Sequence, residues 1–116
     1  MTPLRLLIEP IDRSELAALA ATGFGDMVKA VVDVRRGVMA IGGELHSDEE
    51  ALLLDDGSDQ ADLWGINLYP DEPGAGMIEY DSLINVRPSQ GNRSREVEDE
   101  TLREAIRAVV SRLVTE

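Results

Sequence analysis

Met27-Val-Lys-Ala-Val-Val-Asp-Val-Arg-Arg-Gly-Val-Met-Ala-Ile-Gly-Gly-Glu-Leu45 is the stretch that decides the fold. Val28, Val31 and Val32 fit a helical stripe, but four valines within Val28–Val34 favour extended chain, where branched side chains pack well on a pleated surface. Arg35-Arg36-Gly37 follows as a three-residue loop with glycine where positive φ is wanted. Val38 then opens a second run of strand-forming residues. The stretch therefore predicts a β-hairpin, Met27–Val34 with Val38–Leu45, and Gly42-Gly43 marks a bulge or a close backbone approach.

Upstream, Leu4–Glu9 is a short strand closed by Pro10. Asp12 stands as an N-cap with Glu15 three residues on, and a helix runs to about Ala21, ended by Gly23 and Gly25. Downstream, Ser47-Asp-Glu-Glu50 is a helix start in which Ser47 caps, Glu50 reaches back and the acids favour the positive end of the dipole. That helix ends near Asp55-Asp-Gly-Ser58. Asp62–Tyr69 is a strand with Trp64, Ile66 and Leu68 on one face. After a surface turn over Pro70–Gly76, Met77–Val86 is expected as a further strand that places Asn85 and Arg87 on one polar face with Asn67 and Tyr69. Pro88–Val97 is a polar loop. Glu98–Val114 is an amphipathic helix with a buried stripe of Leu102, Ile106, Val109, Val110 and Leu113. The expected class is α+β: one domain over residues 1–116, with a mainly antiparallel sheet of five or six strands and three helices.

Composition narrows the partners. The chain has 116 residues, a net charge of −12 and no cysteine, which excludes disulfides, thiolate nucleophiles and zinc–sulfur sites. Nucleic acid is bound through accumulated Lys and Arg contacts, so this acidity argues against it as a partner. No run approaches the roughly 20 apolar residues of a membrane span, and no secretory signal pattern opens the chain. A cytoplasmic location is the expectation.

Against this acidity, Ser82-Leu-Ile-Asn-Val-Arg-Pro-Ser-Gln-Gly-Asn-Arg-Ser-Arg95 carries three arginines and no acid. Arginine offers a fixed fork of donors to carboxylate or phosphate, and Asn and Ser add neutral hydrogen bonds. A small anionic ligand is expected here, held by Arg87 and Arg93 and oriented by Asn67, Asn85, Asn92 and Ser82. The competing expectation for the arginines is ion pairing with the abundant carboxylates; for Asn67 it is a structural network bracing the Asn85–Asn92 region. His46, the only histidine, is the candidate acid or base; the alternatives are a helix-entry residue or a metal ligand with Glu44, Asp48 or Glu49. An acidic cation site around Asp48, Glu49, Asp55 and Asp56 is weighed too, but it matches no known calcium-loop spacing. Trp64 is expected in the core, and Gly65 is expected to admit a ligand or another backbone closely. No cofactor is implied. A homodimer or protein-interaction module is the alternative function.

The runs GGELHSDEEALLLDDGS, LWGINLYP and SLINVRPSQGNRS resemble a small bacterial family, common among cyanobacteria, whose function is unknown. The resemblance spans about Val28 to Leu113 and implies a bacterial cytosolic protein. It carries no activity, cofactor or catalytic residue.

Overall fold

The computed structural model describes residues 4–116. Three short or medium helices and two sheets make one α+β unit. The main sheet contains β1 (Arg5–Leu7), β3 (Val28–Asp33), β4 (Val38–Ile41), β5 (Leu63–Leu68) and β6 (Ile78–Glu79), in the spatial order β1-β4-β3-β5-β6 with every pair antiparallel. The expected hairpin is its centre: Ala30 faces Ile41 and Asp33 faces Val38 across β3 and β4. The Asp33 carboxylate accepts from the N–H groups of Arg35 and Arg36, and Gly37 takes a φ of 71° to close the turn.

Both faces of the sheet are covered. Val28, Ala30, Val32, Trp64, Ile66 and Leu68 pack beneath α1 (Arg13–Thr22) and α3 (Glu100–Leu113). Strand alternation sends Val31, Ala40 and Leu63 to the opposite face, beneath Leu53 of α2 (His46–Asp55). Helix α3 buries the expected stripe, with Leu102 only partly covered. Asp12 caps α1 by accepting the Glu15 N–H at 2.8 Å.

Three differences from the sequence expectation matter. A second, parallel sheet joins β2 (Ile11–Asp12) to β7 (Val114–Thr115) and ties the start of α1 to the end of α3; two-residue strands leave no periodicity to read. Ser47 is not the cap of α2. The helix begins at His46, with Leu45 at the cap position and no side-chain capping bond, because the His46 ring is drawn down onto the sheet. The long strand expected over Met77–Val86 is also absent. Pairing stops after Glu79, and Leu83–Asn85 form a 3₁₀ turn instead. Side chains take over where β6 ends.

Candidate functional site

Strand β5 runs four residues past the reach of β6, since β6 pairs only with Asn67 and Leu68. Its outer edge therefore needs other partners for buried backbone groups. Asn85 supplies one pair: Oδ1 accepts the Gly65 N–H at 2.8 Å and Nδ2 donates to the Gly65 carbonyl at 2.9 Å. This is the donor–acceptor pair that a neighbouring strand would present. Two residues on, Arg87 donates to the carbonyls of Gln60 (2.6 Å) and Leu63 and to the Gln90 side chain, while its guanidinium stacks 4.0 Å from the Trp64 ring centre. The Arg87 fork is thus occupied by the protein itself.

Asn92 and Ser82 have similar work. Asn92 Nδ2 donates to the carbonyls of Asn85 and Glu96, both at 2.7 Å, and its Oδ1 accepts the Glu98 N–H at 3.0 Å. The buried Ser82 hydroxyl accepts the Ile84 N–H. A Cβ on Gly65 would lie 2.5 Å from the Ser82 Cβ, so the close approach expected at Gly65 is made by Ser82. Asn67 donates to Glu79 Oε1 (2.9 Å) and to the Asp81 carbonyl (3.1 Å). Of the segment's arginines, Arg95 pairs with Asp81 at 2.8 Å, and Arg93 is exposed with no ion pair among the described residues. The residues chosen for an anion are therefore chiefly braces of a sheet edge. They shape one wall of a site without facing it as a set.

The cleft beside that wall lies at the other end of β5. A cavity of about 300 Å³ is bounded by His46 and Ser47 at the start of α2, by Lys29 on β3, and by Ser82, Ile84 and Arg95. His46 is buried, and its Nε2 lies 2.8 Å from the Ile66 carbonyl. A carbonyl only accepts, so Nε2 carries the proton. Burial pulls the imidazole pKa below its ordinary value, more strongly than the Ile66 carbonyl and Asn67 raise it. The ring is accordingly neutral at pH 7, with a lone pair on Nδ1. Arg87 and His46 bind carbonyls three residues apart on β5, about 10 Å along the strand, so the histidine meets the Ser82 and Arg95 ends of the segment rather than Arg87.

Lys29 was missed by the sequence reading. It is the only lysine in the chain, and it sits directly across from Asn67 in the sheet. It is half-buried, its Nζ lies 5.1 Å over the Phe24 ring, and among the described residues no carboxylate pairs with it. One turn along α2 from His46, Glu49 is fully buried. Its Oε2 accepts the Gly43 N–H at 2.9 Å and its Oε1 has no partner. Burial pushes this carboxyl up to about 9, against weaker opposition from the Gly43 hydrogen bond and the charge on Lys29. Glu49 is therefore uncharged at neutral pH and leaves Lys29 without a counterion. The Asn67 Oδ1, buried beside His46, is also unpartnered.

Among the described residues, no three His, Asp or Glu side chains converge on a metal position, around His46 or around Asp55 and Asp56. Another cleft, of about 690 Å³, is lined by Arg13, Arg103 and Arg107. Arg13 there is tied to the Pro70 and Glu72 carbonyls, Arg107 to Glu100 and Arg103 to the Val97 carbonyl.

Fold and site together define a small α+β protein whose sheet is covered by helices on both faces and opens a cation-bearing cleft at the start of α2. Residues 5–113 match the family described as Protein of unknown function (DUF5674), and the chain belongs to that family. No curated protein and no solved structure matches it. No helix among the described residues is long and apolar enough to cross a membrane.

Proposed function

We propose that the protein binds a small anionic ligand, a carboxylate or a phosphate, in the cleft between the start of α2 and the Ser82–Ile84 turn. The observation that carries this is Lys29. Its ammonium is half-buried and meets the Phe24 ring rather than a carboxylate, in a chain that holds 23 Asp and Glu side chains. None forms an ion pair with it, and the nearest buried one, Glu49, is protonated. The first turn of α2, which has no side-chain cap, starts on the same wall and carries the exposed Asp48. Neutral His46 supplies an acceptor that would orient a hydroxyl or amine on the ligand, and its Nδ1 is the atom that would take a proton from it. Arg87, Asn85 and Asn92 serve the site by holding Ser82 and Arg95 in place, and Arg93 stands outside the cleft.

Thermal unfolding with millimolar phosphate, acetate and hydroxy acids tests the reading. Saturable stabilisation is expected, weakened at least tenfold by Lys29→Met, which keeps the apolar stem. Absence of any shift, or a shift indifferent to Lys29→Met, would overturn it.

One observation favours a second reading, self-association. Leu83 is 71% exposed, beside the exposed Val86 and across the cleft from the exposed Leu45. Light scattering that finds a dimer, lost in Leu83→Asp, would support an interface in place of a ligand cleft.

A further inference from the structure

The Lys29 cleft continues into a second one. A cavity of about 550 Å³ lies at the open end of β3 and β4, lined by Leu19, Phe24, Met27 and Val28 together with the backbone of Gly42 and Gly43. Lys29 and Leu45 border both cavities, so the two adjoin at these residues along one groove. The larger end is lined mostly by apolar side chains and backbone. The Thr22 hydroxyl there donates to the Leu19 carbonyl, the Gly43 N–H is taken by Glu49, and the exposed Glu44 carboxylate stands at the rim. Phe24 and Leu45 remain 48% and 56% exposed and line the same cavity, so they add apolar surface to one patch.

The charge at the other end is limited. Arg95 is ion-paired through Nε with Asp81 and His46 is neutral, so among the described residues Lys29 is the one cation lining the groove that has no ion pair. A pocket that is mainly apolar with a few placed polar groups is the ordinary form of a small-molecule site. Resting on the anion-binding reading above, we infer that the ligand is an amphipathic monocarboxylate. Its carboxylate lies at Lys29 and the start of α2, and its apolar body lies against Phe24, Met27 and Leu19. A doubly charged phosphate would find only one free cation in a chain that is otherwise strongly acidic.

The test is a chain-length series, acetate through butanoate and hexanoate to octanoate, measured by calorimetry or chemical-shift titration below micellar concentrations. Octylamine serves as the charge-reversed control. Each methylene is expected to tighten binding about fourfold while it still reaches apolar wall, with octylamine at least tenfold weaker than octanoate. Phe24→Ser, which removes apolar wall at a half-exposed position, should flatten the series, with octanoate losing more affinity than acetate. Equal affinity from acetate to octanoate would overturn the amphipathic assignment and leave the anion reading standing. Equal binding of octanoate and octylamine would also overturn it, showing apolar capture without a head-group site. Failure of every carboxylate and of phosphate would remove the anion reading itself, and this inference with it.

Discussion

Replacing Glu49 by Gln should make the protein more stable, and by an amount that depends on pH. In the folded chain this carboxyl is fully buried, has one hydrogen bond to the Gly43 N–H, and is pushed from 4.5 up to about 9. In the unfolded chain it titrates near 4.5. Between those values the folded state holds a proton that the unfolded state releases. Stability from this group is therefore full below pH 4.5 and lost as pH rises toward 9, with a slope of about 1.4 kcal/mol per unit. At pH 7.5 the loss has reached roughly 4 kcal/mol, an upper figure because local relaxation softens buried charges. Glutamine keeps the shape and the acceptor for Gly43 and has nothing to titrate. Urea denaturation of both proteins from pH 5 to 8.5 provides the measurement, and the comparison largely cancels the other carboxylates because both chains share them. The curves should converge near pH 5 and separate steadily above it, with the variant on top and m unchanged. Parallel curves would refute the reasoning. They would mean that Glu49 is ionised when folded, which leaves Lys29 as its counterion and removes the free cation on which the proposed site rests.

Three further outcomes follow from the braced edge of β5. Gly65→Ala sets a methyl 2.5 Å from the Ser82 Cβ; a loss of about 1–3 kcal/mol is expected, partly recovered in the double variant with Ser82→Gly, and a double-mutant cycle with no coupling would count against the contact. Asn85→Ala strands the N–H and C=O of Gly65, so chemical denaturation should show a loss of about 3 kcal/mol or more, since each unmet buried group costs about 1–3 kcal/mol. Arg87→Lys keeps the charge but not the fork or the stacking on Trp64; it should destabilise by about 1–2 kcal/mol, and stability equal to the parent would mean that charge alone matters there.

Periodicity made much of the fold legible. The valine-rich run with its Gly37 turn placed β3 and β4, Trp64, Ile66 and Leu68 placed one face of β5, and the apolar stripe placed α3. Local capping chemistry was legible at Asp12 and misleading at Ser47. There a good capping residue lost to a tertiary contact, the His46 ring reaching the Ile66 carbonyl, which pulled the helix start two residues earlier and turned Glu49 inward. The expected strand over Met77–Val86 failed for a related reason. Its alternation was real, but Gly65 lets Ser82 approach so closely that the chain leaves the sheet, and Asn85 continues the pairing with its side chain.

The same physics explains why the candidate site shifted. A run of Arg, Asn and Ser without acids reads alike whether its donors face a guest or a row of unpaired carbonyls, because both need the same hydrogen bonds. Only the position of the sheet edge separates the two, and that depends on where β6 stops. Lys29 gave the opposite signal: one lysine among valines in an acidic chain, on a strand whose neighbours are buried. The Phe24 ring stabilises the ammonium there, and a carboxylate or an outside anion would stabilise it further. Once burial keeps Glu49 protonated, the protein's own nearest candidate is gone. A ligand is therefore called for less by the three arginines of the Ser82–Arg95 run than by one half-buried ammonium that no described carboxylate pairs with.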